Sequence, residues 1–218
     1  MRAARTLVSS CVFLIVLGSA TPRVVVAQAL AGAEAEKNIQ VDAFYEQAKV
    51  DIDGGRLPFA VEKLRKALAL RAPDPRRVWK VLMALAVAYD EMGRPLNALE
   101  YIQLFLNALD AYGEDPGKDW TQRRAMMEQW IVELRGVVLK SHSGVELGST
   151  PGGARILIDG RAYGDEGAAR TPFTVFMAPG QHVVRVELDG YKPFETLVTT
   201  ETGRASALHP TLDRKPPP

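Results

Sequence analysis

Apolar residues follow one period in the first part of this chain and another in the second. Between residues 41 and about 138 they recur every three or four positions, which places them on one face of a helix. Three such segments are Leu57, Ala60, Val61, Leu64, Ala67 and Leu68; Val78, Leu82, Leu85, Ala86 and Tyr89; and Leu99, Ile102, Phe105, Leu106 and Leu109. From about residue 144 the period changes to two, which is typical of strands with one buried face. The pattern predicts a multidomain α+β protein, helical over residues 41–140 and β over residues 144–213.

Glycine and proline mark where the predicted helices end and begin. Gly55 and Gly93 suit the left-handed conformation that ends a helix, and each is followed within three residues by a proline that a first helical turn tolerates. The pattern repeats, since Ala60 and Ala98 occupy corresponding positions 38 residues apart. We therefore predict a helical hairpin used twice.

A further helix is predicted after Pro116-Gly117. Asp119 is expected to cap it, and its apolar side contains Met127, Trp130, Ile131, Leu134 and Val138. We interpret it as a capping helix that covers the second hairpin. The same stripe could instead be a docking surface for another protein.

Turn signals divide the β region into short segments. Asp159-Gly160 and Asp189-Gly190 favour tight turns, and Pro151-Gly152-Gly153 and Pro179-Gly180 supply others. They predict five or six strands in a small antiparallel sandwich.

Prolines limit where strands can lie. Pro193 and Pro210 lack the amide hydrogen that a central ladder needs, so we expect them at strand starts or on an edge. The proline-rich tail, residues 214–218, is expected to be extended, outside the sheet and frayed, in preference to a truncated linker or a ligand motif.

The first 29 residues have the order of a secretory signal peptide. Arg2 and Arg5 precede an apolar run over residues 7–17 that is too short to span a bilayer, and small residues follow. Cleavage is predicted after one of three alanines: Ala29, Ala27 or Ala20. We expect residues 30–40 to form a linker, the mature chain to have no transmembrane span, and the protein to be exported to the periplasm or cell envelope. An uncleaved anchor is the alternative.

Charge and cysteine content exclude several classes of partner and chemistry. The formal charge is +1, and without Arg2, Arg5 and Arg23 it is about −2, which argues against nucleic acid or anionic lipid as a partner. The one cysteine, Cys11, lies inside the apolar run. A mature chain would then have no disulfide, no cysteine-ligated zinc and no cysteine nucleophile.

Catalytic patterns are absent from the sequence. The three histidines, His142, His182 and His209, have neither metal-ligand spacing nor a neighbouring nucleophile motif. The carboxylates of Asp165 and Glu166 lie in a glycine-rich loop, which favours solvated charges over a rigid glycosidase pair. We expect no catalytic residue, no metal and no cofactor, and therefore no enzyme.

The two hairpins resemble the tetratricopeptide repeat family. Its pattern is matched by Phe44, Ala48, Gly55, Ala60, Leu64 and Ala67 in the first hairpin and by Leu82, Ala86, Tyr89, Gly93, Ala98 and Ile102 in the second. There are three departures: Asp51 stands where an aromatic is usual, Phe105 replaces the last alanine, and residues 72–77 lengthen the link.

The tetratricopeptide resemblance implies a concave groove, lined by the first helix of each hairpin, that binds an extended peptide or a partner helix. By repeat position this partner-binding groove would present Asp42, Tyr45, Lys49, Ile52, Lys80, Met83, Val87 and Asp90. Solvated helix faces are the other interpretation of these residues.

The β region resembles the PEGA domain of bacterial envelope and surface proteins. The motifs that carry the resemblance are, in order, residues 151–154 (PGGA), 156–160 (ILIDG), 171–172 (TP), 178–182 (APGQH) and 190–194 (GYKPF). Residues 163–169 are an insertion, and Gly152 replaces the glutamate of the family's name. The resemblance implies a non-catalytic module for envelope attachment or protein contact.

Two functions are compatible with this organisation. In the first, the protein is an exported, non-enzymatic adaptor or scaffold of the bacterial cell envelope that binds a protein or peptide through its helical repeats. In the second, the β domain binds carbohydrate or peptidoglycan and the helices are a spacer.

Overall fold

The computed structural model describes residues 22–164 and 167–216, with side chains from residue 30 onward. Most of the predicted signal peptide, residues 1–21, lies outside this part, as do Asp165 and Glu166 of the predicted loop and the last two residues of the tail. The described helices are α1 (Pro22–Asp53), α2 (Leu57–Ala69), α3 (Pro75–Glu91), α4 (Pro95–Asp110) and α5 (Lys118–Val138). Residues 30–40, predicted to be a linker, are helical because α1 runs through them without a break.

Helices α1 to α4 form two hairpins whose turns have the same geometry. Gly55 and Gly93 have φ angles of 69° and 67°, the left-handed conformation expected of a glycine that ends a helix. In the first turn the Arg56 amide donates to the Asp51 carbonyl at 2.7 Å. In the second the Arg94 amide donates to the Tyr89 carbonyl at 2.9 Å. The helical region therefore contains two successive helical hairpins with equivalent turns.

The hairpins enclose a core made of their apolar faces. Ala60 and Ala98 are fully buried where the helices of each hairpin meet, and the largest buried side chain is Trp79. Its ring contacts Tyr112 edge-on at a centroid distance of 5.2 Å. Such ring pairs contribute about 0.5–1.5 kcal/mol beyond the area they bury.

Helix α5 covers the open side of the second hairpin. Met127, Leu134 and Val138 are buried against the helical core, and Trp130 and Ile131 pack there in part. The predicted apolar stripe is therefore an internal face of α5. The predicted cap at Asp119 is wrong: the N-cap is Gly117, and Asp119 is exposed in the first turn.

The β region forms two sheets that share one core. The strands are β1 (Ser143–Leu147), β2 (Arg155–Ile158), β3 (Arg161–Ala162), β4 (Phe173–Met177), β5 (Gly180–Glu187), β6 (Phe194–Thr200) and β7 (Ala205–Leu208). One sheet has the order β4-β1-β7 and the other β3-β2-β5-β6. Val145, Phe173 and Val175 of the first sheet pack against Ile156 and Val184 of the second.

The sandwich differs from the prediction in two respects. Seven described strands replace the five or six expected, because the short β3 follows β2 through a turn at Asp159-Gly160 with both φ angles positive. The sheets are not wholly antiparallel, since β1 pairs with β7 in parallel, Gly144 opposite Ala205. Strand β7 comes last in the described order and returns to the first strand, a pairing that local patterns do not specify.

The tail is attached to the sandwich, which corrects the expectation that it lies outside the sheet. Arg214 forms an antiparallel bridge with Tyr191, and the Lys215 amide donates to the Gly190 carbonyl at 2.9 Å. The Arg214 guanidinium lies 5.9 Å from the centre of the Tyr191 ring. Leu212, just before the tail, is buried.

The helical and β regions meet where α4 lies beside β4, an edge strand of its sheet. Gln103 and Asn107 of α4 bond to the backbone of Thr174 and Pro172, and Leu104 packs against the core of the sandwich. In return Phe176 packs into the helical core. None of the helices in the described part of the chain is long and apolar enough to cross a membrane.

Candidate functional site: a groove along the helical region

A groove runs along the face that α1, α3 and α5 share. It consists of two adjoining cavities of about 660 and 300 Å³, which we call the polar and the apolar cavity. The polar cavity is lined by Asp42, Tyr45, Glu46, Asp74, Arg76, Arg77, Lys80, Asp119, Trp120 and Arg123. The apolar cavity is lined by Tyr45, Ile52, Lys80, Met83, Ala84, Val87, Trp120 and Arg123. Both volumes fall in the range of ligand-binding clefts.

The structure brings together most of the residues predicted for the partner-binding groove. Six line its cavities: Asp42, Tyr45, Ile52, Lys80, Met83 and Val87. Lys49 and Asp90 line neither cavity, although each is on a helix that borders the groove.

The indole ring of Trp120, at the centre of the groove, packs against aromatic rings of the helical core. Trp120 packs against the buried Trp79, with ring centroids 5.0 Å apart at 73°. Its other neighbour in the core is Phe105, 6.3 Å away. Trp120 is half-buried and lines both cavities together with Tyr45. The core therefore fixes the orientation of an indole that a ligand in the groove would contact.

One end of the polar cavity is closed by an ion-pair cluster. Arg77 donates from Nε to both oxygens of Asp42 at 3.0 Å and from Nη2 to Oδ2 at 2.8 Å, and it also bonds to Asp74. The hydrogen bond to Asp42 is the main reason that the pKa of Arg77 is raised. Asp74 is the N-cap of α3 and accepts from the Arg76 amide at 3.0 Å. The charge of Arg77 is thus matched within the protein.

Two basic side chains stand at the junction of the cavities without a carboxylate partner. Lys80 and Arg123 are exposed, line both cavities, and make no ion pair with any residue that the structure describes. The Arg123 guanidinium instead lies 5.5 Å from the centre of the Trp120 ring, where the face of the indole attracts a cation.

The contribution of α5 to the groove was missed by the sequence-based prediction. Trp120 and Arg123 were not assigned to it because this helix is predicted to be a cap, and the alternative docking surface was placed on the stripe from Met127 to Val138. The position of α5 in the chain could have indicated this contribution. Because α5 follows the second hairpin, it takes the place of the first helix of a third hairpin. Residues on its inner face, three apart, then point into the same groove as those of α1 and α3.

The rings of the three histidines lie against neighbouring groups of the protein. The His182 ring bonds to Asp159 Oδ2 through Nδ1 and to the Ala178 carbonyl through Nε2, both at 2.8 Å. The His209 ring lies over Gly148, where an added Cβ would approach it to 1.9 Å. His142 Nδ1 is 2.9 Å from the hydroxyl of its exposed neighbour Ser141. Among the described side chains, no three potential metal ligands are grouped to hold an ion.

Thr171 explains why the Thr-Pro motif accompanies the PGGA turn. Its hydroxyl accepts from the Ala154 amide at 3.0 Å and bonds to Ser149 Oγ at 2.6 Å. Its backbone amide donates to the Ala154 carbonyl at 2.9 Å, and its carbonyl accepts from Gly153 at 2.7 Å. Thr171 is 3% exposed, so this motif is a structural connection inside the sandwich.

Comparison with known families identifies one segment. Residues 143–216 match the model of the PEGA domain, and this range contains all of β1 to β7. The match confirms the resemblance seen in the sequence and extends it through most of the tail. No curated protein matches the chain.

Proposed function

We propose that the protein is an exported, non-enzymatic adaptor of the bacterial cell envelope whose groove binds an extended segment of a partner protein. The observation that carries the proposal is the groove itself, a concave surface built by three helices. At its centre are the aromatic rings of Tyr45 and Trp120 and two basic groups, Lys80 and Arg123, that form no ion pair with any residue of the described chain. Stacked helical hairpins form concave surfaces of this kind by their geometry.

The helical region is proposed to be tetratricopeptide-like. Its support is the repeated hairpin, with equivalent left-handed glycines at Gly55 and Gly93 and buried alanines at Ala60 and Ala98. Helix α5 completes the stack by covering the second hairpin, as the last unit of a repeat array requires.

Export is proposed from the order of charged, apolar and small residues over positions 1–29. The PEGA module is proposed to make a second contact, with an envelope component. Because α4 and β4 are joined through several side chains, that module and the groove would be held in one relative orientation.

A site-specific photo-crosslink tests the adaptor function in the native envelope. A photoreactive residue at Met83, which lines the apolar cavity, is expected to capture a discrete partner, whereas one at the exposed Val132 of α5 is not. Tyr45→Ala should abolish the Met83 product, and Lys49→Glu should leave it, because Lys49 lies outside both cavities. Equal products from Met83 and Val132 would reject the groove as the binding site.

Carbohydrate or peptidoglycan binding by the PEGA module is the alternative proposal. Sugar sites usually present exposed aromatic rings, but Phe173 and Phe176 are buried, Tyr163 bonds to Phe176, and Tyr191 is bridged by Arg214. These surroundings favour the adaptor. Retention of the mature chain on purified cell wall, unaffected by Tyr45→Ala, would reverse that order.

A further inference from the structure

The two cavities of the groove differ in the residues that line them. Ile52, Met83, Ala84 and Val87 line only the apolar cavity, and no acidic residue of the described chain lines it. Glu46 and Asp119 line only the polar cavity. A ligand lying along the groove would therefore meet an apolar surface on one side of the Lys80 and Arg123 pair and mixed charges on the other.

The basic charge at the junction is available to a ligand. Arg77 is already matched by Asp42 and Asp74, so it offers little attraction to another anion. Lys80 and Arg123 have no such internal partner among the described residues, and Arg123 is ordered over Trp120. A carboxylate between them would gain charge-assisted hydrogen bonds, and a basic ligand group would be repelled.

We propose that the extended segment bound in the groove carries an acidic residue two positions from a large apolar one, because alternate side chains of an extended chain lie on the same side. The inference rests on the proposed peptide-binding function and specifies its ligand. The aspartate or glutamate carboxylate lies between Lys80 and Arg123, and the apolar side chain fills the cavity lined by Met83 and Val87. Tyr45 and Trp120 flank the backbone between these two side chains.

A random peptide library selected on the mature chain tests the proposal. The expected result is enrichment of peptides with Asp or Glu two positions from Leu, Ile, Met or Phe. Replacement of that acidic residue by Gln or Asn in a synthetic copy should weaken binding about tenfold, measured by fluorescence anisotropy. Binding should also weaken with added salt, since the carboxylate contacts are exposed.

Protein variants assign the binding to the groove. The double change Lys80→Gln and Arg123→Gln should remove the preference for acidic peptides, while Lys49→Gln, a charge change outside both cavities, should keep it. Circular dichroism and thermal melting establish that each variant is folded. Met83→Arg should block the apolar cavity and abolish binding of all selected peptides.

The outcomes separate the ligand chemistry from the groove function. Peptides that need Met83 but are neutral or basic would overturn the acidic-apolar ligand and leave the groove function intact. No enriched peptide, or peptides insensitive to Met83→Arg, would overturn both. A concentration-dependent dimer in sedimentation, lost in the double variant, would show that a second copy occupies the groove and would overturn the proposal.

Discussion

The side-chain amide of Gln103 and the backbone of Thr174 exchange two hydrogen bonds. Gln103 Nε2 donates to the Thr174 carbonyl at 3.1 Å, and the Thr174 amide donates to Gln103 Oε1 at 3.0 Å. This is the pattern that a neighbouring strand would offer to β4. Since β4 is an edge strand, Gln103 satisfies backbone groups that would otherwise be unpaired at the edge. A helix side chain thereby joins the two domains.

Gln103→Ala is expected to weaken this junction. Thr174 is half-buried, and its amide and carbonyl would lose their partner on α4, which we expect to cost about 1 kcal/mol of unfolding free energy. Urea denaturation measures the loss. Gln129→Ala on the exposed face of α5 is the control and should cost much less. Equal losses in the two variants would contradict the role assigned to Gln103.

Asp51 occupies a position where the tetratricopeptide pattern usually has an aromatic residue, and it is 4% exposed. Its carboxylate bonds to Lys63 and accepts from Arg56 Nε at 2.8 Å, and these bonds, that of Lys63 first, lower its pKa. The cluster ties the end of α1 to α2. Asp51→Ala should lower Tm by a few degrees in thermal melting, because both cations lose their partner.

The matched control for Asp51 is Asp53→Ala, at the exposed end of the same helix. It should leave Tm nearly unchanged. An unchanged Tm in Asp51→Ala as well would show that the ion-pair cluster does not stabilise the first hairpin.

The contact between Asp159 and His182 predicts a pH dependence of stability. Both ring nitrogens of His182 face acceptors, so the doubly protonated ring satisfies both. The hydrogen bond to Asp159 raises the pKa of His182 above 6.5, and the same bond lowers the pKa of Asp159 below 3.8. The contribution of His182 is complete below pH 6.5 and is lost as the pH rises through its raised pKa. That of Asp159 is lost only in acid, as the pH falls through its lowered pKa.

Asp159→Asn should therefore flatten the change in urea midpoint between about pH 6 and about pH 9. The parental protein is expected to lose more stability over that interval than the variant. Asp189→Asn, in the other Asp-Gly turn, is exposed and should behave like the parent. If all three proteins show the same pH dependence, the Asp159 contact is not its source.

Thr171→Val tests whether the Thr-Pro motif is structural. The change keeps the shape of the side chain but removes the acceptor of the buried Ala154 amide, so we expect a loss of about 1–3 kcal/mol in urea unfolding. Thr171→Ser retains the hydroxyl and should recover most of the loss. Thr199→Val, on the exposed side of β6, should cost little. A fully stable Thr171→Val protein would refute the role of the hydroxyl.

Helices, hairpin turns and most strands were predictable because their signals are local. The apolar period of three and four residues marked the inner faces of α2, α3 and α4, and the left-handed glycines at Gly55 and Gly93 marked where the hairpins turn. The period of two and the ordered motifs identified the β module, which the PEGA match confirms. All eight expected groove residues were chosen by repeat position, and six of them line the two cavities.

The groove's remaining residues could not be predicted from repeat position alone. Trp120 and Arg123 enter through the packing of α5 on α4, and Lys49 and Asp90 line neither cavity although each is on a helix that borders the groove. Whether a basic side chain is already ion-paired within the protein also depends on packing. Arg77, for example, bonds to Asp42, which is 35 positions away in the chain.

The sequence by itself determined most of the helices and strands and the order of the helical and β regions, since periodicity and turn residues act within a few positions. Only the tertiary structure decided the parallel pairing of β7 with β1, the attachment of the tail at Arg214, and the contact of Gln103 with the edge of β4. Each of these joins groups that are far apart in the chain. Such pairings depend on which edge is left open after the sheets have packed, and no local pattern records that.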